Sequence, residues 1–147
     1  MPLTVELITA ERIVRVEQGV DALIVPGAEG QLAIYPKHAA LMTTLEPGEM
    51  VIRRAGQEDA FVVTGGFLEV KNDHITVLAD ASEAAEEIDI ARAEEARRRA
   101  EERIRRFREQ ADRDVDLARA QAALQRALLR LRVAEQRRRR TTGRPQV

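Results

Sequence analysis

The stretch His74-Ile-Thr-Val-Leu-Ala-Asp-Ala-Ser-Glu-Ala-Ala-Glu-Glu-Ile-Asp-Ile-Ala-Arg-Ala93 decides the fold. Up to Asp80 it alternates β-branched or apolar residues with others, the period of a strand. From Ile88 onward alanine, glutamate and arginine take over, and apolar residues return every three or four positions, the period of a helix. The change falls across Ser82 to Ile88. We therefore divide the chain into a β domain over residues 1–84, a helical hairpin over 85–138 and a basic, disordered tail over 139–147.

Upstream of this stretch the sequence reads as many short strands. Candidates are 3–8, 12–16, 22–25, 31–35, 48–54, 60–64, 66–71 and 74–78. Turn residues separate them at Pro26-Gly27, Pro47-Gly48, Gly56, Gly65-Gly66 and Asn72-Asp73. Strands at this spacing predict an antiparallel β-sandwich or barrel. Seven of the eight glycines and four of the five prolines lie before residue 67.

Downstream, Asp80 or Ser82 can cap a helix, with acidic Glu83, Glu86, Glu87 and Asp89 complementing its dipole. Ala93, Ala100, Ile104, Phe107 and Ala111 form a heptad-like seam. The first helix should end near Gln110. Asp112-Arg113-Asp114 makes a turn, with Asp114 as cap of a second helix carrying Leu117, Leu124, Leu128 and Leu131 on one side. Two amphipathic helices joined by a short turn make an antiparallel hairpin. The fold class is α+β. Because the first seam is largely alanine, the hairpin should separate at modest cost and act as a movable element.

Composition narrows the chemistry. The 147 residues contain no cysteine, so disulfides, thiolate metal sites and a cysteine nucleophile are excluded. Histidine occurs only as His38 and His74, and serine only as Ser82. No Gly-x-Ser-x-Gly, Walker or His-Glu-x-x-His pattern is present, and Gly27-Ala-Glu-Gly30 lacks the lysine of a phosphate loop. We expect no catalytic residues and no metal site. Four aromatics, Tyr35, Phe61, Phe67 and Phe107, are too few for base-stacking platforms. No apolar run reaches the ~20 residues of a membrane span, and the N-terminus has no secretory pattern. A soluble protein of a reducing compartment is expected.

The net charge of −1 hides a division: residues 1–84 carry −7 and residues 85–147 carry +6. After Lys71 there is no lysine, and every permanent cation is arginine. Arg92 and Arg99 are seven apart on the first helix, within ~20° of one face. Arg119, Arg126 and Arg130 line one face of the second, where Asp116 is the only acid between Val115 and Ala134. Guanidinium forks suit phosphate oxygens, so two such stripes in a hairpin could grip a triphosphate, with Asp89 and Glu83 accepting from a base or ribose. The competing reading is a solvated face paired with Glu95, Glu102 and Glu109. The run Arg137–Arg140 reads as solvated tail.

Residues 25–48 (Val-Pro-Gly-Ala-Glu-Gly-Gln-Leu-Ala-Ile-Tyr-Pro-Lys-His-Ala-Ala-Leu-Met-Thr-Thr-Leu-Glu-Pro-Gly), with Thr64-Gly-Gly-Phe-Leu-Glu-Val70 and Val77-Leu-Ala-Asp80, resemble the epsilon subunit of bacterial F-type ATP synthase. The resemblance covers about residues 3–136. It implies a non-catalytic central-stalk subunit on the cytoplasmic face of the plasma membrane, without inserting in it. Its partners would be the gamma subunit, the c-ring and the alpha/beta catalytic head, with no nucleic acid. It would couple proton flow to ATP synthesis, and its hairpin, when extended, would inhibit ATP hydrolysis. The family's ATP-sensing motif, Ile/Leu-Asp-x-x-Arg-Ala, stands complete as Ile88, Asp89, Arg92 and Ala93. The resemblance adds Glu83, Arg99, Arg119, Arg126 and Arg130 to an ATP site, with ATP as a regulatory ligand, with or without magnesium, and no required cofactor. It places Glu29, Gln31 and His38 towards the rotor. Gln31 stands where some members have an acid, and Lys37 where glycine is frequent. The alternative reading is a free-standing adaptor or nucleic-acid-binding module that uses the basic helices.

Overall fold

The computed structural model describes residues 2–142, and the side chains of residues 2–138. The chain forms two compact units that meet at Ala85/Glu86.

The first unit holds ten strands: β1 Leu3–Ile8, β2 Ile13–Val20, β3 Ala22–Gly27, β4 Gly30–Ile34, β5 Leu41–Leu45, β6 Gly48–Arg54, β7 Gln57–Val63, β8 Gly66–Lys71, β9 His74–Ala79 and β10 Ser82–Ala84. They pair in the order β10-β7-β6-β3-β5-β8-β9-β1-β2, with β4 on β3. β3 joins two layers. Residues 22–24 pair with β6, while Gly27 pairs with Leu45 of β5. β5 and β10 lack a clear sequence signal: Leu41-Met-Thr-Thr-Leu45 alternates weakly, and β10 is only three residues long.

Alternation builds the core. Leu3, Val5 and Leu7 of β1 point inward, as do Leu68 and Val70 of β8 and Ile75 and Val77 of β9. Register makes rows of them: Leu68 is opposite Val77, and Val77 opposite Leu7. The expectation of a wholly antiparallel sandwich needs one correction, because β1 pairs with β9 in parallel. A parallel pair needs a long crossover, and here everything between residues 8 and 74 supplies it.

Turn geometry follows residue type at several corners. Asn72 and Asp73 both adopt positive φ, as a two-residue hairpin between Lys71 and His74 demands. Gly66 has φ +129, and a Cβ there would collide with the Leu78 carbonyl oxygen, so only glycine fits. Lys37, at φ 67, occupies the left-handed region that costs an L-residue ~1–2 kcal/mol. This explains why glycine suits that position.

The second unit contains α1 Ile90–Gln110 and α2 Leu117–Thr142. No helix among the described residues is long and apolar enough to cross a membrane. Three sequence expectations are corrected here. Ser82 and Glu83 lie in β10 and not at a helix start; the cap of α1 is Asp89, whose carboxylate accepts from the Arg92 amide at 3.0 Å. The cap of α2 is Asp116 and not Asp114: Asp116 Oδ1 accepts from the Arg119 amide at 3.1 Å, three residues on, while the Asp114 amide donates to Asp112 within the turn. The segment from 139 to Thr142, expected to be disordered, continues α2. Arginine is a good helix former and cations favour a helix C-terminus, so nothing stops the helix before Gly143. Gly143–Val147 of the expected tail lie outside the described residues.

Candidate functional site

The Ile88–Ala93 segment is first a helix start. Asp89 is the N-cap, so Ile88 and Ala93 take the two positions of a hydrophobic staple, and both are buried. The Ala93 amide donates to the Asp89 carbonyl at 3.0 Å. Ile88, Asp89 and Ala93 thus have a local structural task, and one carboxylate oxygen of Asp89 is already engaged. Any case for a ligand rests on the arginines.

Their placement follows from the seam. Ala93 and Ala100 are the buried residues of α1. On α2 the buried residues include Ala120, Ala127 and Ala134, with Leu124 and Leu131 half-buried between them, a 4-3-4-3 repeat. This corrects one member of the leucine seam: Leu128 is 47% exposed, while Leu117, Leu124 and Leu131 are half-buried on the repeat. Alanine carries so little hydropathy that the leucines masked the true repeat.

Each seam alanine but Ala134 is preceded by an arginine, in Arg92-Ala93, Arg99-Ala100, Arg119-Ala120 and Arg126-Ala127. One residue is ~100° of helix, so every one of these arginines flanks its seam on the same rotational side. The six-residue turn 111–116 reverses the chain. Two helices running antiparallel with like phase are related by a two-fold axis normal to the hairpin, so both arginine rows lie on one face. Arg130 precedes half-buried Leu131 and joins that face. Arg92, Arg99, Arg119 and Arg126 are exposed, and Arg130 is half-buried.

Two glutamates of the competing reading, Glu95 and Glu102, do form ion pairs, but with arginines other than the four before the seam alanines. Glu95 holds Arg98 at 2.9 Å, Glu102 holds Arg106 at 2.9 Å, and Glu94 and Glu101 hold Arg97 at 2.7 and 3.1 Å. Hydrogen bonding to Glu94 raises the Arg97 pKa above its already high ordinary value. Among the described residues no ion pair reaches Arg92, Arg99, Arg119 or Arg126. Arg105 and Arg132 are equally without one, so the arrangement on one face, more than the lack of partners, singles out the four.

Glu83, the ninth residue of the expected site, belongs to the first unit. It sits half-buried in β10 opposite Val62. The expected rotor residues also lie in the first unit, and all are exposed. Glu29 is in the β3–β4 turn and Gln31 pairs with Pro26. His38 follows Lys37, whose amide donates to Asp73 Oδ1 at 2.6 Å; His38 Nδ1 lies 2.7 Å from the Ala39 carbonyl oxygen. Among the described residues no three His, Asp or Glu side chains gather as a cation cage. Sequence reasoning missed Arg103, which stands one residue before half-buried Ile104 and one turn after Arg99 on the same face. The i, i+4 step from Arg99 is the signal that finds it.

Comparison with known proteins agrees with this two-unit architecture. A family model described as ATP synthase, Delta/Epsilon chain, beta-sandwich domain matches residues 2–85, and one described as the long alpha-helix domain of the same chain matches residues 86–135. The chain is 54% identical over 99 residues to the ATP synthase epsilon chain of Dehalococcoides mccartyi, covering 67% of this chain and 70% of that one. It is 54% identical over 99 residues to that of Pelotomaculum thermopropionicum, covering 67% and 73%. With that of Chloroflexus aggregans it shares 49% over 100 residues, covering 68% and 71%. Among solved structures, a chain of the Euglena gracilis mitochondrial ATP synthase (OSCP/F1/c-ring, rotational state 1) superposes with a TM-score of 0.70 at 21% identity, over 84% of this chain and 75% of that one. A chain of the Tetrahymena thermophila mitochondrial ATP synthase central stalk/c-ring gives 0.52 at 22%, over 59% and 69%. At such identities the two structures show a shared fold.

Proposed function

The chain belongs to the ATP synthase delta/epsilon family, as an epsilon chain of the bacterial type, and we propose that it is a rotor-stalk subunit whose hairpin senses ATP and restrains ATP hydrolysis. An epsilon chain is a subunit of the complex and is not itself the catalyst. In this reading the β unit docks on the gamma subunit and the c-ring, with Glu29, Gln31 and His38 turned to the ring. The protein then lies at the cytoplasmic face of the bacterial plasma membrane and couples proton flow to synthesis. The hairpin is the regulatory part. Extended, it reaches the alpha/beta head and blocks hydrolysis; compact, it releases it.

The observation that carries the ATP reading is the set of four Arg-Ala dipeptides at heptad spacing on two antiparallel helices. Arg99, Arg126 and Arg130 converge on the polyphosphate, Arg92 lies nearer the start of α1, and Arg119 stands seven residues, ~10 Å of helix, from Arg126 towards the turn. The second carboxylate oxygen of Asp89 accepts from base or ribose. ATP at about a hundred times its Kd stabilises the state that binds it by ~2.7 kcal/mol, enough to reverse an equilibrium held by alanine packing.

Calorimetric titration of the full chain with ATP, with and without magnesium, tests this. We expect binding heat that Arg126→Ala abolishes while the helical circular dichroism signal persists. Absence of heat up to millimolar ATP would remove ATP sensing and leave family membership untouched.

A further inference from the structure

The arginine face holds two arginines, Arg103 and Arg106, that the proposed ATP site does not use. On α1 the seam positions Ala93, Ala100, Ile104 and Phe107 are preceded by Arg92, Arg99, Arg103 and Arg106. On α2 Ala120, Ala127 and Leu131 are preceded by Arg119, Arg126 and Arg130. Seven arginines therefore share one face; the acid just before a half-buried seam residue is Asp116, the cap of α2, ahead of Leu117. The other face is mixed. Positions just after the seam are Glu94, Glu101, Arg105 and Arg108 on α1, and Gln121, Leu128 and Arg132 are among those on α2.

The turn fixes the levels. With 110 and 117 closing it, Phe107 is level with Ala120 and Ala100 with Ala127. Measured along the axis from the turn, the arginines then come in the order 119, 106, 103, 126, 99, 130, 92, largely alternating between the helices. At 1.5 Å per residue they form a ladder ~24 Å long with a rung every ~4 Å. Helix axes in such a pair are ~8–10 Å apart, so the rungs of the two helices stand side by side on that face. Of these arginines, Arg106 is held by Glu102 at 2.9 Å, and Arg103 is exposed with no ion pair among the described residues.

A triphosphate spans only part of such a ladder. We infer that the face binds linear inorganic polyphosphate, with Arg103 as a contact that ATP does not need. This rests on the reading that the same arginines hold the phosphates of ATP. Two observations favour a phosphoanhydride chain over nucleic acid. Successive phosphates share a bridging oxygen and so match closely spaced rungs, whereas a nucleic-acid backbone sets its phosphates further apart. The hairpin's aromatic residue, Phe107, is half-buried in the seam and offers no stacking platform.

The test titrates the full chain, at physiological ionic strength, with tripolyphosphate, with a polyphosphate long enough to span the ladder, and with ATP. The long chain should bind at least about tenfold tighter than tripolyphosphate, because added contacts act intramolecularly. Arg103→Gln should remove most of that gain and leave ATP affinity within about twofold, while Arg105→Gln, on the opposite face, changes neither. Equal affinity for the two chain lengths overturns the inference. So does an Arg105→Gln loss matching that of Arg103→Gln, or an oligothymidylate of equal charge binding as tightly. If ATP fails to bind but the long chain binds through Arg103, the ATP reading falls and this one stands. Helical circular dichroism of each variant confirms folding.

Discussion

In the β unit, Leu3, Leu7, Leu23, Ile34, Met50, Phe61 and Ile75 are completely or almost completely enclosed. In the hairpin, the enclosed residues are Ala93 and Ala100 on α1, and Ala120, Ala127, Leu129, Val133 and Ala134 on α2, mostly alanines. A leucine buries three more carbons than an alanine, so each such seam position forgoes ~2 kcal/mol at ~0.8 kcal/mol per buried CH₂. Alanine in return lets two helices approach closely, with the exposed arginines beside it. One unit is built to stay folded as a platform. The other is held by smaller side chains, and in the proposed reading a bound anion decides its state.

The largest effect that would break this contrast belongs to the β unit. Phe61 is 1% exposed, with the Arg15 guanidinium over its ring at 5.1 Å. Phe61→Ala should cost ~3–5 kcal/mol in urea unfolding, and a loss no larger than that of a seam substitution would refute the division of labour. Next, hydrogen exchange should show hairpin amides opening ~2 kcal/mol or more below those of β1, β8 and β9; equal protection removes the movable hairpin. Asp89→Ala deletes the cap of α1 and should cost ~1 kcal/mol, seen as fraying over the first turn. Ala55→Gly acts at a two-residue turn where Ala55 has φ 51 and its amide is held by Asp21 at 3.0 Å. Relief of the left-handed cost, less the entropy of glycine, should stabilise by ~0.5 kcal/mol. Smallest is Arg98→Ala, which breaks the exposed pair with Glu95 and should move the midpoint by no more than ~0.5 kcal/mol.

Part of the candidate site was legible in the sequence because helical spacing is local. Seven-residue steps place Arg92 with Arg99 and Arg119 with Arg126 without knowledge of what the helices pack against. Strand boundaries such as Gly48–Arg54 and Gly66–Lys71 were legible for a similar reason, since proline, glycine and the Asn72-Asp73 pair punctuate them.

What the sequence determined by itself is the change of period near Ser82, the two-part order of the chain, the charge division and the arginine stripes. All of these arise from interactions within a few residues, where propensity and period act alone. The tertiary structure decided the rest. The parallel pairing of β1 with β9 depends on chain segments some seventy positions apart. The choice of Ala120, Ala127 and Ala134 over Leu128 for the seam depends on which side of α2 meets α1, and a methyl group announces that too faintly in hydropathy. That both arginine rows share a face emerges only once the seam is known, because a helix has no inside or outside until something packs against it.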